Sequence, residues 1–179
     1  WVKVEFWAGG NKNLIENGTA GDPTYVTTSP AFEASVNNEA GTGYGRRLSG
    51  FFVPATTGDY DFFVNSDDAS NLYISTTASV VNKCLIAQET TWSDPRKWVS
   101  SGGGSTLSQK RSDTWSTTAG GTAPYAAGIH LTGGSKYYME INHTEGSGGD
   151  NCEANFKVHG AADPVDNTPS LLTGSLIGM

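Results

Sequence analysis

Val2-Lys3-Val4-Glu5-Phe6 alternates apolar and polar residues, the signature of a half-buried strand. From Ala8 to Gly43 the alternation dissolves into polar, glycine-rich sequence with isolated apolar anchors at Leu14, Tyr25 and Phe32, which predicts loop with short strands at best. Residues 46–53 read as a strand ending at Pro54, Thr57-Gly58-Asp59 as a turn, and residues 60–64 as the returning strand, so a hairpin is the simplest connection. Asn65-Ser66-Asp67-Asp68-Ala69-Ser70 ends that strand with residues that favour turns, and residues 71–75 and 83–88 supply two more short strands. Residues 89–128 are irregular and hold Trp92, Trp98 and Trp115 among Ser, Thr and Gly; a loop of that length inside a compact domain is usually functional or mobile. Order returns at residues 128–131 and in a strand over 136–143, where adjacent Tyr138 and Met139 interrupt the alternation. After the loop 145–151, residues 152–159 put Ala154, Phe156 and Val158 on one face and Glu153, Asn155 and Lys157 on the other. No window carries an apolar stripe at helical spacing. The pattern predicts one all-β domain over residues 1–160, with 161–179 as a linker or tail.

Composition narrows the function. Twenty-three glycines and only 16% charged residues suit short strands joined by turns. A formal net charge of -7, with Arg46-Arg47, Arg96-Lys97 and Lys110-Arg111 as the only basic doublets, argues against nucleic acid as a partner. Acidic residues gathered in loops are instead candidates for calcium. Cys84 and Cys152 fit either one disulfide in an oxidising compartment or two buried thiols. No apolar run is long enough to span a membrane. The start at Trp1, without Met or signal peptide, reads as a processed chain or an excised piece. Asn17-Gly18-Thr19 and Asn142-His143-Thr144 fit the glycosylation sequon.

Marks of catalysis are lacking. There is no Gly-x-Ser-x-Gly elbow, and His130, His143 and His159 lack metal-ligand spacing and read as ordinary strand residues. Glycosidase carboxylates face each other across a cleft, whereas Asp67 and Asp68 are adjacent. The expectation is a binding module, at most an accessory domain attached to a glycoside hydrolase.

The stretch from Gly50-Phe51-Phe52-Val53-Pro54 through Gly58-Asp59-Tyr60 to Ser66-Asp67-Asp68 and Leu72-Tyr73-Ile74-Ser75 resembles the central motif of PA-14 (protective-antigen-type) domains. Three further segments fall in family order: Asn82-Lys83-Cys84-Leu85-Ile86-Ala87 with Trp92 behind it, Lys136-Tyr137-Tyr138-Met139-Glu140, and His143-Thr144-Glu145-Gly146-Ser147-Gly148-Gly149-Asp150-Asn151. The resemblance implies an antiparallel β-sandwich or barrel-like fold with long loops. Residues 99–128 are longer than the family's usual connection, and the cysteines are not family hallmarks.

In sugar-binding members the two aspartates are joined by a cis peptide and hold calcium, so the resemblance implies Ca2+ on Asp67 and Asp68. The loop 145–151 is the natural source of further ligands, with Asp150 the best side chain and Asn151 and Glu145 behind it. Open coordination positions could take two sugar hydroxyls, and Trp98 and Trp115 are the candidates to stack on a sugar face. Trp92, which has a family counterpart, reads instead as core cover. Two functions follow. One is a calcium-dependent carbohydrate-binding, lectin- or adhesin-like module that takes a glycan or polysaccharide at the surface of a cell or in a secreted protein. The other is a self-assembling subunit of a surface layer, filament or large adhesin. There Leu171, Leu172, Leu176 and Ile177 would add a strand to a copy of the chain or a neighbouring domain.

Overall fold

The computed structural model describes residues 1–34, 41–101, 103–118 and 120–179. In chain order the strands are β1 (Val2–Ala8), β2 (Tyr25–Ser29), β3 (Glu33–Ala34), β4 (Tyr44–Phe52), β5 (Gly58–Asp67), β6 (Ser70–Ser75), β7 (Lys83–Glu89), β8 (Ile129–Leu131), β9 (Tyr137–Glu145), β10 (Asn151–Val158) and β11 (Ile177–Gly178). The larger sheet runs β2-β1-β4-β9-β6-β7, with β11 also pairing β4, and the smaller runs β3-β10-β5-β8. All pairings are antiparallel. The expected all-β sandwich is the fold observed.

Side-chain alternation explains the layering. Val4, Leu48, Leu72, Met139 and Ile141 of the larger sheet meet Tyr60, Phe62, Val64, Cys152 and Ala154 of the smaller one in a single buried core. The hairpin expected between β4 and β5 does not form, because the two strands belong to different sheets. Alternation fixes which face of a strand is apolar, and two apolar faces are equally well buried by opposing each other across the core. Phe52 at the end of β4 does so, with its ring centroid 5.6 Å from that of Tyr60 and 5.4 Å from that of Phe62.

Three expectations change. A short helix α1 (Lys12–Glu16) interrupts the stretch expected as loop, capped by the Asn11 side chain, which accepts from the Leu14 N–H at 3.1 Å. Five residues are too few to display helical periodicity. The tail is packed against its own domain: Leu172 is fully buried, the Phe32 N–H donates to the Leu172 carbonyl at 3.1 Å, and β11 pairs Phe51 and Phe52. Leu172 and Ile177 are thereby used inside the chain rather than offered to a neighbour. Cys84 lies exposed on β7 and Cys152 buried on β10, in opposite sheets, and both are free thiols, so the disulfide alternative is excluded.

The outer face of the smaller sheet is covered too. Glu153 and Asn155 point away from the core yet are buried, as are Phe63 and Asn65 of β5. The long connection after β7 and the tail lie over them. Asn142, in the second sequon, is fully buried in β9, whereas Asn17 is exposed.

Candidate functional site

Two connections cross between the sheets at one end of the sandwich. The chain leaves the smaller sheet at Asp67 and enters the larger at Ser70; it leaves the larger at Glu145 and returns to the smaller at Asn151. Asp67 pairs with Asn151 and Ser70 with His143, so register alone sets the two crossings side by side. The Thr144 N–H donates to the Ala69 carbonyl at 3.0 Å and fastens them together. The Asp67–Asp68 peptide is cis, as the resemblance implies.

Asp67, Asp68 and Glu145 each present a carboxylate oxygen, all within 4.8 Å of one another. The Gly146 N–H donates to Asp68 Oδ2 at 2.8 Å. At Gly149 a Cβ would lie 2.6 Å from Asp67 Oδ2, so a larger residue there would push the carboxylate aside. Both Glu145 oxygens are buried and find no hydrogen-bond partner. Burial, followed by the charges of Asp68, Asp67 and Asp150, pushes Glu145 up to about 7, opposed in part by the Asp68 backbone N–H, which lies near the carboxylate but outside good hydrogen-bond geometry. Asp67 rises to about 6, first through burial and then through Asp68. Three carboxylates held together, one of them buried and without a hydrogen-bond partner, could hold a cation. An all-oxygen donor set fits Ca2+.

The structure does not bring every expected ligand into this cluster. Asp150 is buried behind it, where its Oδ2 accepts from the Tyr44 hydroxyl at 2.9 Å and lies 3.8 Å from Arg46 Nη2. Asn151 Oδ1 accepts from Asn65 Nδ2 at 3.0 Å, and its own Nδ2 donates to the Ser93 carbonyl at 3.0 Å. Both side chains hold the frame. Glu145, ranked behind them, is the one that joins the aspartates.

The tryptophans do not stand where the sequence reading put them. Trp98 and Trp115 are only 1% and 4% exposed, their indole N–H groups donating to the Thr168 carbonyl and to Gln88 Oε1, so neither has a ring face free for a sugar. Trp92 is 40% exposed and forms an isolated bridge with Asp67. Gly103 packs so tightly on its ring that a Cβ there would fall 2.2 Å from a ring carbon. Trp92 lines a pocket of about 380 Å³ with Asp67, Asp68, Asp94, Ser147, Gly148 and Gly149.

His143 is another residue that sequence reading passed over. It is fully buried, and its Nε2–H donates to the Asp67 carbonyl at 2.8 Å. Burial, then the nearby Arg46 charge, lowers its pKa to about 3, so the neutral ring stands behind the aspartate pair. Its place two residues before Glu145, on the inward face of β9, was the available signal.

Comparison with known proteins gives a likeness of fold. No family model and no curated protein matches the chain. Among solved structures, it resembles an anti-sigma factor domain-containing protein from Clostridium clariflavum at 14% identity and TM-score 0.58, covering 98% of this chain and 46% of that one. A second anti-sigma factor domain-containing protein is covered to 47%, so the chain spans slightly under half the length of each. The Epithelial Adhesin 6 A domain from Candida glabrata, solved in complex with Galb1-3GlcNAc, matches at 13% identity and TM-score 0.57 over 99% of this chain and 85% of that one. A PA14 sugar-binding domain from an RTX adhesin matches at 14% identity and TM-score 0.56, over 91% of this chain and 92% of that one.

Proposed function

We propose that this chain is a non-catalytic, calcium-dependent carbohydrate-binding module of a secreted or cell-surface protein. The observation that carries the reading is the buried, unpartnered Glu145 carboxylate within 4.8 Å of Asp67 and Asp68, two aspartates that line a pocket walled by an exposed tryptophan. Asp67, Asp68 and Glu145 would hold the ion, which when bound supplies open positions for neighbouring sugar hydroxyls. His143 and the Gly146 N–H fix the aspartates from behind, and Trp92 offers a flat apolar face for a sugar ring. Sugar-binding adhesin domains among the structures of like fold support the same reading.

Terbium replaces calcium on oxygen ligands and luminesces when a nearby indole is excited. Titrating chelator-stripped protein with Tb3+ should give saturable emission excited through tryptophan and displaced by Ca2+. Asp67→Asn should abolish it, and Trp92→Leu should dim it without weakening displacement by Ca2+. Undiminished emission in Asp67→Asn would place the ion elsewhere and remove the basis of the proposal.

A further inference from the structure

The pocket contains a fourth carboxylate that the cation cluster does not use. Asp94 lines it beside Asp67, Asp68 and Trp92, its side chain exposed and in no ion pair among the described residues. What the fold uses is its backbone, since the Asp94 carbonyl accepts from Asn65 Nδ2 at 2.9 Å. The preceding Ser93 donates its N–H to the Ser66 carbonyl at 2.9 Å, and its hydroxyl receives Lys110 Nζ at 2.9 Å. The segment carrying Trp92 and Asp94 is therefore fixed to β5, with the Asp94 side chain left exposed at the pocket.

Charge then decides what can enter. Asp67, Asp68, Glu145 and Asp94 together outweigh one divalent cation, and no Lys or Arg is among the described lining residues. Two buried cations are each already matched by a carboxylate: Lys110 Nζ lies 3.5 Å from Glu89 Oε2, and Arg46 Nη2 lies 3.8 Å from Asp150 Oδ2. A ligand thus meets negative potential even with the ion in place. Resting on the carbohydrate reading above, we propose that Asp94 makes this a site for neutral sugars and for sugars with a free amino group, and that it rejects uronic acids and sialylated or sulfated glycans. Hydroxyls donate to its carboxylate, an ammonium pairs with it, and an anion is repelled.

The test is a glycan array in calcium buffer with matched neutral, amino, uronate and sulfated forms, read for the native protein and Asp94→Asn, with Tb3+ binding measured alongside. Native hits should be confined to neutral and amino forms. In Asp94→Asn the preference for amino over acidic forms should shrink roughly two- to fivefold, the range expected of an exposed charge pair. Acidic forms bound as strongly as neutral ones, or identical discrimination in the variant, would overturn the inference while leaving the lectin reading intact. A blank array with Tb3+ still bound would sink the lectin reading and this inference with it.

Discussion

Glu145→Gln should act in opposite directions with and without calcium. In the metal-free protein this carboxylate is buried, unpartnered and pushed from an ordinary 4.5 to about 7. At about 1.4 kcal/mol per pKa unit the charged form would cost the fold at most about 3.5 kcal/mol; local relaxation and water penetration reduce this to about 1–2 kcal/mol. Glutamine removes the charge and gives Asp67 and Asp68 an N–H to accept from. Metal-free Glu145→Gln should therefore melt about 3–6 °C above the native protein at pH 8. Because folding raises this pKa, stability without metal falls as pH climbs from 4.5 to about 7, so the advantage of Gln should be absent near the lower value and complete above the upper one. With calcium the order should reverse, since the variant loses a charged ligand and binds at least about a hundredfold more weakly, about 2.8 kcal/mol, which exceeds what the metal-free fold gains. Differential scanning fluorimetry across pH, in chelator and in calcium, reads both effects. A variant that melts lower in chelator and keeps its calcium affinity would refute the argument.

Asp150→Asn should behave as a frame mutation: it weakens the hydrogen bond from the Tyr44 hydroxyl and the ion pair with buried Arg46, lowering stability by about 1–3 kcal/mol in chelator and calcium alike. Chemical denaturation in both buffers separates this from the reversal expected at Glu145. Trp98→Ala should lose about 3–5 kcal/mol through its emptied site and free the tail that its indole holds at Thr168, while Tb3+ affinity stays unchanged. Alkylation of the native protein should label Cys84 alone, and Cys152 should react only after unfolding, as mass spectrometry of the digested adducts would show.

The strands were legible because alternation is local. Residues 60–64 announce an apolar face whatever they pair with, and the same fact hid the partner, so a crossing between sheets was read as a hairpin. The aspartate pair was legible for the same reason, being one contiguous motif. Ranking Asp150 above Glu145 failed because Asp150's role is set by Tyr44 and Arg46, more than a hundred residues away in the chain. The tryptophans were misassigned because their flanks are equally polar. Trp98 and Trp115 are buried by segments remote in sequence, and Trp92 is left at the surface beside Asp67.

A division of labour follows from how the site is held. Its acidic floor is fixed by strand register, through Asp67 opposite Asn151 and Ser70 opposite His143, and any sandwich with these pairings would place the two crossings together. The wall has no such guarantee. Trp92 and Asp94 stand on an irregular connection fastened by isolated bridges and by one buried ammonium, Lys110, whose pKa burial lowers and Glu89 partly restores. A floor set by the sheets can persist while the wall is rewritten residue by residue. On the proposed reading, cation binding should therefore be the more robust property, and ligand choice the one that changes in the long connection alter first.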